Sequence, residues 1–256
     1  MKDRQSCADF DFDLAQAVLD QLVTAFDQLE TGRLAPDVCA KMKLGQGVYK
    51  LFLDDQLKYI GKAKSLPRRL ERHYRVLSGR QNIEIERLGF KGLYIHRNWS
   101  TLTTEAALIR HFRESSPWNT SGMGSNDPGH NREDSAEDDT FNSLYPINPD
   151  FVCDWIQPGE YTAWKLLADL KKGLPYLLRY HRVTRRFRSQ ADRDAEEELK
   201  KTKVIVLDAN VSARNLLLEI ASQLPDGWQA TQFSGRLILY KEQTKYRHGH
   251  TFWPAS

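Results

Sequence analysis

The segment from Gly47 to Gly61 constrains the fold more than any other. Gly47-Val48-Tyr49-Lys50-Leu51-Phe52-Leu53 is rich in strand-forming residues, Asp54-Asp55-Gln56 is a polar break, and Leu57-Lys58-Tyr59-Ile60 resumes the apolar pattern before Gly61. Two such runs around a short polar break read as strand, tight turn, strand. With the hairpin centred near Asp54, Tyr49 and Tyr59 are expected almost opposite each other. Cross-strand partners share a face of the sheet, so the two phenols should project together.

The flanking sequence extends this hairpin into a layered unit. Pro67 suits the first turn of a helix through Arg68-Arg69-Leu70-Glu71-Arg72-His73 toward Gly79. Gly92-Leu93-Tyr94-Ile95-His96 reads as a third strand, and Ser100 to Thr104 offer caps for a helix reaching Phe112. Upstream, Leu14, Val18, Leu22, Phe26 and Leu29 recur at three- and four-residue steps, which makes residues 10–30 an amphipathic helix. Downstream come helical patterning around Tyr161–Leu178, a charged helix near Ala191–Lys201, a strand at Lys203–Leu207, a helix at Ala213–Leu224 and a strand at Arg236–Tyr240. The expected fold class is mixed α/β (α+β). A small, mostly antiparallel three-stranded sheet flanked by helices carries an N-terminal helix and a C-terminal α/β extension. The domain boundaries read as an N-terminal helical segment over 1–43, a central domain over 44–130, an acidic linker over 131–160 and an accessory region over 161–256.

Composition excludes several classes. At 256 residues, 40% hydrophobic and 28% charged, the chain can bury a core and is not disordered as a whole. No apolar run approaches a membrane span, and Met1 to Phe12 is polar and acidic, so a cytoplasmic protein with no membrane partner is expected. Cys7, Cys39 and Cys153 are odd in number and widely spaced, which fits neither a disulfide framework nor a zinc module. The net charge of +3 conceals segments of opposite sign: residues 41–120 carry 16 basic and 7 acidic side chains, 121–160 carry 1 and 9, and 161–256 carry 17 and 10. Basic blocks on either side of an acidic one suggest an anionic partner, most simply nucleic acid. Ordinary solvated charge is the plainer alternative.

Gly47-Val48-Tyr49, nine residues, then Tyr59-Ile60-Gly61 resembles the signature of the GIY-YIG endonuclease superfamily, with valine in place of isoleucine. Arg69 and His73 on the next helix, Glu105 at the start of a later one and Pro117-Trp118-Asn119 at the end follow the same order as that superfamily's functional residues. Within the resemblance, which spans roughly residues 45–130, Thr104-Glu105-Ala106-Ala107-Leu108-Ile109 and Gly122-Met123-Gly124-Ser125-Asn126-Asp127-Pro128-Gly129 look most like the type II restriction endonuclease branch.

The resemblance implies hydrolysis of DNA phosphodiesters to 5′-phosphate and 3′-hydroxyl ends. Such chemistry needs an activated water, charge stabilisation on the phosphoryl oxygens and help for the departing alkoxide. Glu105 would hold one divalent metal per active site, Mg²⁺ for preference, with waters completing its shell. Arg69 would neutralise a nonbridging oxygen. Tyr49 would be the general base, needing a neighbouring acceptor or cation because a phenol ordinarily titrates near pH 10, and His73 would take its proton. Tyr59 and Lys62 would orient water and phosphate, and Asn119 would support the site. Taken singly, each residue also has a plainer reading: the tyrosines as strand residues, Arg69 and His73 as a solvated helix face, Glu105 as a countercharge to a helix dipole.

Outside this domain, Arg179, Arg182, Arg185, Arg186 and Arg188 interleave with aromatics and could contact DNA, or could pair with Glu196-Glu197-Glu198. His248-x-His250 reads as an exposed tail rather than a metal site. A restriction enzyme acting on double-stranded DNA would work as a homodimer, since two strands are most simply served by two-fold symmetry, and beside a cognate DNA methyltransferase. The alternatives are a DNA repair or mobile-element endonuclease of the same superfamily, and a non-catalytic DNA-binding module that keeps the fold.

Overall fold

The structure, a computed structural model, describes residues 11, 13–95, 110–112, 115–123, 140–183 and 189–254. The chain divides into two compact units, one of residues 1–72 and 86–120 and the other of residues 73–85 and 121–256. Both mix helices with largely antiparallel sheets.

In the first unit helix α1 (Leu14–Asp27) opens at Asp13, whose carboxylate accepts the Gln16 amide at 2.9 Å and satisfies a donor of the first turn. After it come β1 (Gly32–Arg33), α2 (Pro36–Lys41), β2 (Gly47–Leu53), β3 (Gln56–Ala63), α3 (Leu66–Ser78), β4 (Leu88–Tyr94) and α4 (Pro117–Thr120). The sheet runs β1-β4-β2-β3, antiparallel throughout. Three of these strands are in the expected places, although β4 runs from Leu88 to Tyr94 where Gly92 to His96 was expected, and His96 lies outside the described residues. The fourth, β1, is two residues long, too short for any side-chain alternation to reveal it in the sequence.

Asp54 and Asp55 make the β2–β3 turn, both at positive φ (55° and 59°). Two-residue hairpin turns need that conformation to match strand twist, and Asp is among the few non-glycine residues that adopt it readily. The register differs from the sequence expectation: Tyr49 faces Gly61 and Tyr59 faces Leu51. The two tyrosines are therefore diagonal neighbours on one face, not direct partners.

Helices cover both faces of this sheet. Leu19 and Phe26 of α1 pack with Val48 and Ile60 on one side. On the other, Leu66 of α3 lies against Gly47, where a Cβ would come 2.7 Å from the Leu66 side chain and 2.1 Å from the Leu93 carbonyl oxygen. Glycine at 47 is thus a packing requirement of the strand. Leu66 and Leu70 are fully buried, each contributing about 1.5–3 kcal/mol of transfer free energy. Pro67 sits in the first turn of α3, where a missing N–H leaves no bond unmade.

The second unit contains α5 (Phe141–Leu144), β5 (Gly159–Thr162), α6 (Ala163–Gly173), β6 (Leu177–Tyr180), α7 (Gln190–Lys201), β7 (Lys203–Val206), α8 (Ala213–Gln223), β8 (Trp228–Gln232), β9 (Arg236–Lys241) and β10 (His250–Trp253). One sheet runs β10-β8-β9-β6, with β6 parallel to β9 and the other pairs antiparallel, and β5 pairs with β7 in a second. Leu166, Leu167 and Leu170 of α6, Leu216, Leu217 and Ile220 of α8, and Leu237 and Leu239 of β9 form its core. Helices α6, α7 and α8 begin at hydroxyl caps: Thr162, Ser189 with Asp192 in a reciprocal capping box, and Ser212.

Three readings of this region change. The helical pattern over Tyr161–Leu178 is helix only from Ala163 to Gly173, with Tyr161 in β5 and Leu178 in β6. Residues 140–160, placed by sequence in a linker, supply buried Phe141, Ile147, Cys153 and Ile156, and Arg80 donates to the Asn142 side chain and the Tyr145 carbonyl at 2.9 and 3.1 Å. His250 belongs to a strand, paired with Gln232, rather than to a tail. Among the described residues no helix is long and apolar enough to cross a membrane.

Candidate active site

Strand alternation places Tyr49, Tyr59 and Gly61 on the face of the first sheet that α3 covers, and α3 adds Arg69. The Tyr49 and Tyr59 rings lie 6.0 Å apart, tilted by 32°. Arg69 Nε donates to the Tyr49 hydroxyl at 3.1 Å. Gly61 is what permits this arrangement, because a Cβ there would meet the Tyr49 hydroxyl oxygen at 2.5 Å and its Cζ at 2.7 Å. The phenol of one strand thus lies across the glycine of its neighbour.

Burial governs the electrostatics. Tyr49 is fully buried, and loss of water pushes its pKa far above the ordinary phenol value, with Tyr59 adding to the rise. The Arg69 hydrogen bond and charge act in the opposite sense. Arg69 itself would be lowered by its own burial, but its bonds to the tyrosine hydroxyls outweigh this and raise it. At neutral pH the cluster therefore rests as a neutral phenol against a permanent cation. The Tyr49 and Tyr59 hydroxyls engage only part of the five N–H donors of Arg69, so the guanidinium retains capacity for an anionic oxygen.

The other expected site residues are distributed differently. Asn119 takes the Ile60 amide on Oδ1 and gives its Nδ2 to the Ile60 carbonyl, both at 2.8 Å. It pairs with the outer edge of β3 like a short strand, one residue from Tyr59, while Trp118 beside it is buried. Lys62 pairs in register with Val48, and so alternates to the face opposite Tyr59. His73 lies one turn beyond Arg69 on α3, is buried, and belongs to the second unit. Glu105 lies outside the described residues, as do Arg185, Arg186 and Arg188.

Phenols and a guanidinium are not hard anionic ligands and do not by themselves make a Mg²⁺ site. Among the described residues no group of three His, Cys, Asp or Glu side chains could hold a metal ion. The expectation of a metal therefore rests on Glu105. Cys39 and Cys153 offer no alternative nucleophile, since both are buried thiols with raised pKa, Cys153 to about 12.

In the second unit Arg182 stacks over Trp164 and Tyr180, 5.3 and 5.9 Å from the ring centroids, and Arg179 lies in β6 opposite Ile238. Arg182 acts on one of the acids expected as alternative partners: against the effect of burial, its charge joins the Lys200 and Val183 hydrogen bonds in lowering the Glu196 pKa. Glu196 accepts from the Val183 amide and Lys200, Glu197 lies against Lys200, and Glu198 accepts from Trp228 and Lys241.

Two features escaped the sequence reading. Lys50 is buried, with its ammonium 3.9 Å from the Phe112 ring centroid and 4.6 Å from that of Phe26. A lysine in a strand gives no local hint of such a slot. The outward arginines of α3, Arg68 and Arg72, were legible as an i, i+4 pair beside Arg69. No protein-family model matches the chain, and no curated protein matches it at a significant level.

Proposed function

We propose that the chain is a metal-dependent, sequence-specific endonuclease of double-stranded DNA, of the GIY-YIG kind and the type II restriction branch, acting as a homodimer. The observation that carries this reading is the bond from Arg69 to the Tyr49 hydroxyl above the bare Cα of Gly61. It joins a proton-bearing oxygen to a phosphate-binding cation, the two groups that phosphodiester hydrolysis asks of the protein.

In the proposed reaction Arg69 binds a nonbridging phosphoryl oxygen with its remaining N–H groups. Tyr49, as phenolate, takes a proton from the attacking water. The new P–O bond forms as the bond to the 3′ oxygen breaks, and the departing 3′ alkoxide takes a proton from solvent water, leaving 5′-phosphate and 3′-hydroxyl. Tyr59 orients the Tyr49 oxygen, and Asn119 holds the strand that carries Tyr59. A divalent metal held by Glu105 would supply charge stabilisation at the leaving oxygen.

Incubation of purified protein with a long plasmid and Mg²⁺ tests the proposal. Discrete bands are expected from the wild type, and a loss of rate of about 10²-fold or more from Arg69→Ala and from Glu105→Ala. A featureless smear at limiting enzyme would replace restriction with general nuclease activity. Binding without cleavage would favour a DNA-binding module that keeps the fold. Wild-type rates for Glu105→Ala would remove it as the metal ligand.

A further inference from the structure

We propose that Lys64, Arg68 and Arg72 form a track for the nucleic-acid backbone, holding phosphates that flank the scissile one; this deepens the nuclease reading and rests on it for the choice of duplex DNA. All three side chains are exposed, and all belong to the first unit. Among the described residues none of the three makes an ion pair, a hydrogen bond or a ring contact.

Some exposed cations elsewhere are matched with acids: Arg33 with Asp37, Arg87 with Asp54, Lys165 with Asp169, Lys203 with Glu160. Others, such as Lys41, Arg193 and Arg247, stand alone among the described residues, but they are not neighbours of the Arg69–Tyr49 pair in sequence as Lys64, Arg68 and Arg72 are. Farther along α3, Arg75 is also committed, donating to the carbonyls of Gly173 and Leu174 at 2.9 and 3.1 Å. Only the first half of the helix leaves its outward arginines without a partner.

Helix geometry sets the direction of the track. At about 100° per residue, Arg72 falls between Arg68 and Arg69 around α3, while Glu71 falls on the opposite flank of Arg68. Glu71 lies about 160° around the helix from Arg69, and after burial its charge is the next contributor to the raised Cys39 pKa. Arg68 and Arg72 stand about 6 Å apart along the axis, with Lys64 preceding them in the β3–α3 connection. Arg68 and Arg72 are spaced along the helix axis rather than converging on a point, and none of the three cations is buried. This suits a charged polymer rather than a small phosphate ester. The row contains no aromatic side chain for base stacking, so it contacts backbone charge and carries no sequence information.

The test is binding of a fluorescent duplex oligonucleotide in EDTA over a range of KCl concentrations, comparing wild type with Lys64→Gln/Arg68→Gln/Arg72→Gln. The slope of log affinity against log salt should fall by about 0.9 per lost phosphate contact, about 2–3 in total, with affinity at least ~10-fold weaker. Unchanged circular dichroism and Tm will establish that the triple variant is folded. Arg33→Gln, a charge removed elsewhere on the same unit, should leave the slope as in wild type. An unchanged slope in the triple variant overturns the track, and if wild type still cleaves plasmid the nuclease reading survives. Loss of slope in a protein that never cleaves with Mg²⁺ supports the track and removes the nuclease reading. Vesicles of phosphatidylcholine and phosphatidylserine provide the last arm. If the triple variant loses vesicle binding but keeps duplex binding, the row serves a membrane surface and the track is overturned.

Discussion

On one face of the first sheet Lys50 is enclosed between Phe26 and Phe112, and on the other Arg69 is held against Tyr49. Both are cations at the inner layer of the same small unit, but their partners differ in kind. The aromatic rings offer Lys50 a fixed quadrupole that cannot exchange a proton. Burial lowers the Lys50 pKa, with nearby Asp27 opposing that shift and Lys91 adding to it. Arg69 instead faces a titratable oxygen, and the bond between them perturbs both groups in directions that matter for proton transfer. A cation enclosed by rings can hold a fold together; a cation against a hydroxyl can also do chemistry. The comparison assigns Lys50 to architecture and Arg69 to the site.

The largest effect that could break this assignment is kinetic. Because Tyr49 rests protonated with a raised pKa, its phenolate fraction should grow tenfold per pH unit from about pH 6 to about pH 9. Single-turnover cleavage by wild type should rise in step, and Tyr49→Phe should be slower by about 10²–10⁴-fold with that rise gone. A flat wild-type profile would deny Tyr49 the role of base.

A smaller effect tests the packing that creates the site. Gly61→Ala puts a Cβ into the Tyr49 phenol, and overpacking of this kind costs about 1–3 kcal/mol. Combined with Tyr49→Leu, which removes the nearer obstruction and leaves the Tyr59 ring edge at 2.9 Å, the penalty should shrink in a double-mutant cycle read by denaturant unfolding. Additive penalties would mean that Gly61 serves something other than Tyr49.

The smallest effect belongs to Lys50. Its folded pKa is lowered, so below that pKa the folded state carries an unfavourable charge, and the penalty disappears as pH rises through the unfolded value. Lys50→Met keeps the shape and removes the charge, so Tm at neutral pH should stay equal or rise, with cleavage retained. A variant that folds but no longer cleaves would bring Lys50 into the chemistry and erase the distinction between the two faces.

Much of this molecule was legible in the residues themselves. Alternation and turn chemistry were enough for the β2–β3 hairpin with both tyrosines on one face, and spacing for α3 with Arg69 and for the helices near Ala191 and Ala213. These depend on periodicities of two and 3.6 residues, which any chain displays locally. The diagonal register of Tyr49 and Tyr59 was not legible, because it depends on an irregularity between Leu51 and Phe52 that shifts the pairing within the hairpin. Nor was the short strand β1, the burial of residues 140–160 beneath an acidic average, or the slot around Lys50. Those features are contacts between residues far apart in the chain, and no local pattern encodes them. The sequence by itself determined which groups could take part in the proposed chemistry. Tertiary packing alone decided that Tyr49 would be dry, Gly61 bare and Arg69 within hydrogen-bonding distance, because desolvation and close approach exist only once strand, glycine and helix meet.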